Sequence, residues 1–343
     1  MNLSNIKLTP LIDSLRLEDI SDEIYFSTKF SNYISNSRLS LINPEQDGSP
    51  EKFFNGTFNN FSDSLIRGSA LHQIVLQPED YFICGTVNRP TGKSGYIADF
   101  TYKSTGQVPT DRELIEAAIK YDYYGGNLND KKILDLRSKC NNYWRNRALF
   151  EYSYKDSPNP IYLDSKGRFI IESCYNALNK NKKIQDLLYP KGVLQDPVVG
   201  NEKTILMDIK VDIEDKSFIL KLKSKLDNYC IDLDNEAVIV NDLKTISKIL
   251  SEFDNAILKY HYYREMAMYC YLLSLCATKF YNIKTPTIKS NFLVVSTIPD
   301  FYTKVVPMNR KLFNKGFNEF KTLVKLVAYY VANDSRYNYF ASL

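Results

Sequence analysis

Between Thr204 and Leu243 the chain carries short runs rich in apolar and β-branched residues, separated by two short polar turns. Short runs of this kind bounded by turn signals fit strands. Thr204–Val211 and Phe218–Asp227 read as strands around a turn at Asp212–Lys216. Tyr229–Leu233 continues the second strand after a kink, Asp234-Asn235-Glu236 is a turn, and Ala237–Leu243 is a third strand. This block constrains the fold more than any other, because its strands must share a sheet and something must cover their apolar faces.

The rest of the chain supplies that cover. Apolar residues recur at helical spacing from Asp63 to Leu76, ahead of Pro78. Residues 85–110, rich in Gly, Pro and Thr, read as a loop. Thr110–Leu149 is helical, with a break at Gly125-Gly126-Asn127, and 167–188 is a helix ended by Pro190 and Gly192. A long helix from Ile246 to Lys279 follows the third strand. Phe292–Ser296 and Thr303–Val306 form a hairpin around Pro299-Asp300, and a last helix runs from Lys311 to Ala332. The expected fold is α/β: a central mixed sheet of about five strands flanked by helices, with a mostly helical N-terminal half. One domain over 1–343 is expected, with a polar arm at 1–60, a mainly helical insertion at 85–158 and a core at 160–343.

Composition narrows the function classes. With 44% hydrophobic and 24% charged residues, 343 residues can bury a substantial core. The net charge of +4 is too mild to announce a nucleic-acid partner by itself. None of the six cysteines forms a C-x-x-C pair, which is unlike zinc or iron–sulfur spacing. The first residues have no apolar core of a signal peptide, and no run approaches the roughly 18 apolar residues of a membrane span. A reducing cytoplasm with free thiols is the expectation.

The strand block also carries reactive groups. Lys221, Lys223, Lys225 and Asp227 share one face of their strand, and Leu220, Leu222, Ser224 and Leu226 the other. On the next strand Asp242 and Lys244 point the same way, with the Leu243 carbonyl between them. Mg²⁺ prefers about six oxygens, typically one or two carboxylates plus waters and substrate phosphate. A neighbouring lysine can orient the attacking water and stabilise charge. The D-x-K pattern alone says little: it recurs at Asp164-Ser165-Lys166 and Asp208-Ile209-Lys210, with a Glu form at Glu214-Asp215-Lys216. Asp242-Leu243-Lys244 differs in having an apolar strand before it, a strand-borne acid upstream and a helix after it.

Several segments together resemble the PD-(D/E)XK nuclease superfamily, in its RecE (exonuclease VIII) and RecB-like branch. Ile34-Ser35-Asn36-Ser37-Arg38-Leu39 is similar to that branch's early IS-x-S-x-L segment. Arg67-Gly68-Ser69-Ala70-Leu71-His72, running to Pro78, resembles its G-[ST]-x-x-H…L-x-P helix. Lys225-Leu226-Asp227 and Asp242-Leu243-Lys244-Thr245 match the two central motifs, and Glu265 to Tyr269 falls where the branch has Q-x-x-x-Y. The similarity spans about residues 30–310. It implies a restriction-endonuclease-like core and a Mg²⁺-dependent exonuclease, with Mn²⁺ as a substitute ion, no iron–sulfur cluster and linear duplex DNA ends as substrate. It also implies phage-type recombination with a single-strand annealing protein and homo-oligomers. Asp227, Asp242, the Leu243 carbonyl and His72 would hold the metal, and Lys244 would act on the water. Tyr269 and Glu265 would line the DNA groove or brace the site. Two departures stand out: Glu265 replaces the glutamine, and Asn241 occupies a position usually apolar.

Other residues admit two readings. Lys223 and Lys225 are either phosphate contacts or an ordinary solvated face, as is Lys221. His72 alone on an apolar helix face reads as a core histidine, and its glycine and proline context as a ligand. His261 shares a helix stripe with Glu265 and Tyr269. Trp144, in the segment Tyr143-Trp144-Arg145-Asn146-Arg147, suits either core packing or stacking on a single-stranded end. The rival functions are a DNA-binding protein with a decayed site and an endonuclease of the same superfamily.

Overall fold

A two-residue turn at Glu214-Asp215 folds two 17-residue strands back on each other, and everything else in the sheet is built outward from that hairpin. The protein is described by a computed structural model over residues 3–56, 63–79, 82–83, 89–153, 160–161, 163 and 165–340. It divides into two compact units, one of Met1–Asn59 with Asn176–Leu343, the other Asn60–Tyr175.

The first unit holds a seven-stranded mixed sheet. Its strands are β1 (Lys7–Glu18), β2 (Tyr33–Ile34), β3 (Pro197–Ile213), β4 (Lys216–Asp232), β5 (Ala237–Ile246), β6 (Thr287–Ser296) and β7 (Thr303–Pro307). The order is β1-β3-β4-β5-β6-β7, with β2 pairing onto β4. β5 and β6 run parallel, and so do β2 and β4; the other pairs are antiparallel. A parallel pair needs a crossover. The chain makes it through helices Phe253–Lys259 and Tyr262–Tyr281, the latter labelled α1 here. A last helix, α2 (Arg310–Asn333), packs against α1. Gly316 permits the approach, since a Cβ there would fall 2.2 Å from the Tyr263 carbonyl oxygen.

The α/β class and the mixed sheet match the sequence expectation; the strand count is seven rather than about five. The two extra strands, β1 and β2, come from residues 1–60, which were expected to be a polar arm. β1 carries Pro10 and breaks register between Leu11 and Arg16, and both features suit a strand at a sheet edge. The expected single helix over Ile246–Lys279 is interrupted at His261, which caps α1 with a left-handed φ of 54°. Buried residues of β3, β4, β5, α1 and α2 form one core, including Ile205, Leu222, Val240, Leu272 and Val324.

A buried arginine ties the start of the chain to this core. Arg264 has a fully buried side chain and donates to Asn36 Oδ1 (2.8 Å), Ser40 Oγ (2.7 Å), Gln46 Oε1 (3.1 Å) and Glu319 Oε1 (2.9 Å). Tyr263 donates to Glu319 Oε2 (2.7 Å), and His261 Nδ1 lies 2.7 Å from Glu319 Oε1. His261 is therefore part of this structural network, which holds the α1 terminus against α2.

The second unit contains helices Asp63–Leu76, Gly92–Thr105, Asp111–Lys120 and Asp130–Ser153, and a short parallel pairing of Phe82–Ile83 with Pro160–Ile161. The helix at Gly92–Thr105 replaces most of the loop expected over 85–110, of which 85–88 lie outside the described residues. Its glycines and threonines lower helix propensity, but its buried face, Ile97, Ala98 and Tyr102, packs with Leu136, Cys140 and Trp144. Packing overrides propensity here. The Trp144 indole N–H donates to the Ala98 carbonyl at 3.1 Å inside this core. That corrects the stacking alternative for Trp144. Arg147 packs on the Tyr102 ring, and Arg145 is exposed.

Candidate active site

A row of four asparagines crosses the sheet beside the reactive groups. Register pairs Asn201 of β3 with Asn228 of β4, Asn228 with Asn241 of β5, and Asn241 with Asn291 of β6. Their side chains bond in sequence: Asn228 Nδ2 to Asn201 Oδ1 (2.8 Å), Asn241 Nδ2 to Asn228 Oδ1 (2.8 Å), and Asn291 Nδ2 to Asn241 Oδ1 (3.0 Å). Asn228 and Asn241 also donate to the carbonyls of Leu188 and Leu187, at the end of helix Lys182–Leu188. Those carbonyls have no partner within their own helix. The polar Asn241, a departure from the resemblance, is thus accounted for: an apolar residue would break a buried, satisfied chain.

The next row holds the carboxylates. β4 and β5 stop pairing at Asn228↔Asn241. Asp227 and Asp242 follow at the point where the strands part. The Leu243 N–H donates to Asp227 Oδ2 at 2.8 Å. Asp242 is 2% exposed. Its Oδ1 accepts from Lys244 Nζ at 3.0 Å. Its Oδ2 lies 2.8 Å from the same ammonium but off the hydrogen-bonding direction, and has no hydrogen-bond partner among the described residues. The Lys244 ammonium is thus the cation that offsets the cost of burying this carboxylate. Burial, with Asp227 and Glu265 nearby, pushes the Asp242 carboxyl well above its usual range, against the pull of Lys244.

α1 completes the group. Glu265 Oε2 sits 3.3 Å from Lys244 Nζ, and Tyr269 donates to Glu265 Oε1 at 3.0 Å. The Lys244 ammonium also lies 4.9 Å from the Tyr262 ring centroid. Burial pushes this ammonium down, but Asp242, Glu265 and Asp227 outweigh it and hold it well above the ordinary lysine value. A glutamine at 265 could accept from Tyr269 but would not add this charge. Asp227, Asp242, Leu243, Lys244, Glu265 and Tyr269 are therefore brought together by strand ends and one helix.

The lysine stripe is not an open, solvated face. Tyr33 lies over Lys221, and the Tyr25, Phe26 and Phe30 rings surround the Lys223 ammonium, which donates to the Tyr25 carbonyl at 2.6 Å. Lys225 pairs with Asp22 and, at 3.5 Å, with Glu202. Phosphate contact by Lys223 or Lys225 requires this cover to move. Burial, then the Arg38 charge, lowers the Lys223 pKa to about 8 from an ordinary 10.5. Between those values the unfolded chain holds more protons, so stability rises with pH there; below pH 8 both states are charged and the burial penalty is complete. Denaturant midpoints of wild type and Lys223→Met should therefore converge on wild type, or cross in its favour, as pH rises from 8 to 10. A pH-independent difference would place the ammonium in solvent.

His72 lies half-buried on helix Asp63–Leu76 of the second unit. One residue of the site escaped the sequence reading: Glu202 of β3, whose carboxylate oxygen lies within 4.8 Å of that of Asp227. The signal was present. With the turn at Glu214-Asp215 pairing Ile213 with Lys216, counting back along the hairpin sets Glu202 opposite Asp227.

No protein-family model matches the sequence, and no curated protein matches it. Two solved structures share part of its shape. A candidate exonuclease from Eubacterium rectale is 11% identical with a TM-score of 0.45, covering 90% of this chain and 86% of its own. Rai1 of Scheffersomyces stipitis, crystallised with 3'-NADP⁺ and calcium, is 11% identical with a TM-score of 0.24, covering 98% and 86%. Neither likeness is close enough to place the chain in a family. Among the described residues no helix is long and apolar enough to cross a membrane.

Proposed function

We propose that this protein is a divalent-metal-dependent deoxyribonuclease that hydrolyses phosphodiester bonds at linear duplex ends. The observation that carries the reading is the grouping at Asp242: a buried carboxylate at the strand end beside Asp227, with a lysine held between Asp242 and Glu265. Hard oxygen donors of this kind fit Mg²⁺ or Mn²⁺. Asp227, Asp242 and the Leu243 carbonyl would hold the ion, with His72 added on the strength of the sequence resemblance. When bound, the ion polarises the phosphoryl group and lowers the pKa of its water. Lys244, kept cationic by Asp242 and Glu265, stabilises charge on the phosphate oxygens and orients the water. Tyr269 fixes the Glu265 rotamer and so the Lys244 position. In a phage-type recombination setting, the strand left behind would pass to an annealing protein.

The test compares wild type with Asp242→Asn on linear duplex, with Mg²⁺ and with EDTA. Mg²⁺-dependent release of nucleotides by wild type alone supports the reading. Equal rates for the two proteins would remove Asp242 from the chemistry.

A further inference from the structure

The turn between helix Phe253–Lys259 and α1 sets two tyrosine rings beside the reactive lysine. Residues two apart on one helix do not face each other. His261, with a left-handed φ of 54° and ψ of 35°, breaks the helix between Tyr260 and Tyr262. Their rings then lie 5.6 Å apart at an interplanar angle of 34°. A left-handed conformation is unfavourable for a residue with a Cβ, so surrounding contacts must hold it. His261 Nδ1 lies 2.7 Å from Glu319 Oε1 and 2.9 Å from the Tyr263 hydroxyl, inside the buried network around Arg264.

The two rings differ in what they touch. Tyr262 is half-buried, with its centroid 6.2 Å from that of Phe253, 6.3 Å from that of Phe292 and 4.9 Å from the Lys244 ammonium. Tyr260 is 51% exposed. The exposed Lys259 holds its ammonium 5.3 Å from the Tyr260 centroid. A flat ring open to solvent is thus separated from the Lys244 ammonium by one ring only, with a second ammonium beside it. An aromatic face flanked by cations suits a nucleotide: the face stacks on the base, and the ammonium groups meet the backbone phosphates. The turn that carries the ring is already fixed, so stacking on it costs little further conformational entropy.

We propose that Tyr260 is the stacking platform for the terminal nucleobase of a DNA end whose phosphate lies at Lys244. This rests on the nuclease reading above and adds to it a means of recognising an end. Inside a duplex both faces of a base are already stacked, and exposing one costs unstacking energy. A terminal base offers a face without that cost. Stacking is tolerant of base identity, so the platform selects ends and not sequences.

The experiment titrates the full chain, as wild type, Tyr260→Phe and Tyr260→Ala, against a fluorescent hairpin duplex with one open end, in EDTA. The same hairpin is then made with an abasic nucleotide at the open end of each strand in turn. Where binding needs the ion, the half-saturating protein concentration for single-turnover cleavage in Mg²⁺ reads the same ratio. Wild type should bind one of the abasic ends about 5- to 150-fold more weakly, the range that base–aromatic stacking spans. Tyr260→Ala should lose that factor on the intact end and be indifferent to the abasic nucleotide, while Tyr260→Phe, which keeps the ring, should behave as wild type. Wild type that ignores the missing base on both strands overturns the proposal, and so does a Tyr260→Ala that keeps its sensitivity to it. The abasic comparison needs no variant, so it decides the matter even if Tyr260→Ala does not fold. Cleavage of linear duplex by a wild type indifferent to the abasic ends sinks this inference alone. An abasic effect without any cleavage in Mg²⁺ keeps the platform and sinks the nuclease reading, and a wild type that neither binds nor cleaves sinks both.

Discussion

Lys244→Ala should leave the protein folded and able to bind DNA while cutting turnover about 10³-fold, the scale of losing one positioned charge or proton-handling group. The ammonium is the only cation within reach of both Asp242 and Glu265 among the described residues. Removing it frees both carboxylates and takes the positive charge away from the phosphate. Single-turnover hydrolysis of labelled duplex beside a binding titration separates the two effects. Loss of binding in proportion to loss of rate would show that Lys244 holds the substrate and does not act in the chemical step. Lys244→Arg keeps the charge but spreads it over a planar fork, so it should recover little of the rate.

The second large effect is on stability. Arg264→Ala should destabilise the protein by about 3–5 kcal/mol, the usual cost of breaking a buried ion pair by removing one member. The loss strands Glu319 between His261 and Tyr263 and cuts the ties to Asn36, Ser40 and Gln46. Chemical denaturation measures it directly. A loss below about 1 kcal/mol would mean that the network relaxes around the gap or draws in water. The effect reaches the site, because Glu265 is the next residue on the same helix turn. Arg264→Ala should therefore also slow cleavage at temperatures where the protein is still folded.

The parts of this molecule that were legible in the sequence are those set by local pattern. Thr204–Val211, Phe218–Asp227 and Ala237–Leu243 are short apolar-rich runs bounded by polar turns and lie within β3, β4 and β5. Asp63–Leu76 and Lys311–Ala332 have a 3.6-residue rhythm and form helices. The D-x-K at Asp242, picked out by its strand-to-helix context, lies at the end of β5 with Lys244 on Asp242, as the alternation required.

What escaped depends on long-range register. The asparagine row is spread over positions 201, 228, 241 and 291, and nothing near any one of them marks it. Glu202 becomes visible only when the β3–β4 hairpin is counted out from its turn. β1 hides because an edge strand with a proline and a register break alternates poorly. The lysine stripe misled for a related reason: alternation places Lys223 on a face correctly but does not reveal that Tyr25, Phe26 and Phe30 cover it.

The most direct test of the whole account is incubation of wild type with end-labelled linear duplex and with closed circular DNA, each in Mg²⁺ and in EDTA. The account predicts loss of the linear substrate only, and only with Mg²⁺. Nicking or linearisation of the circle would contradict end-dependence, and no cleavage of either DNA would contradict the nuclease itself.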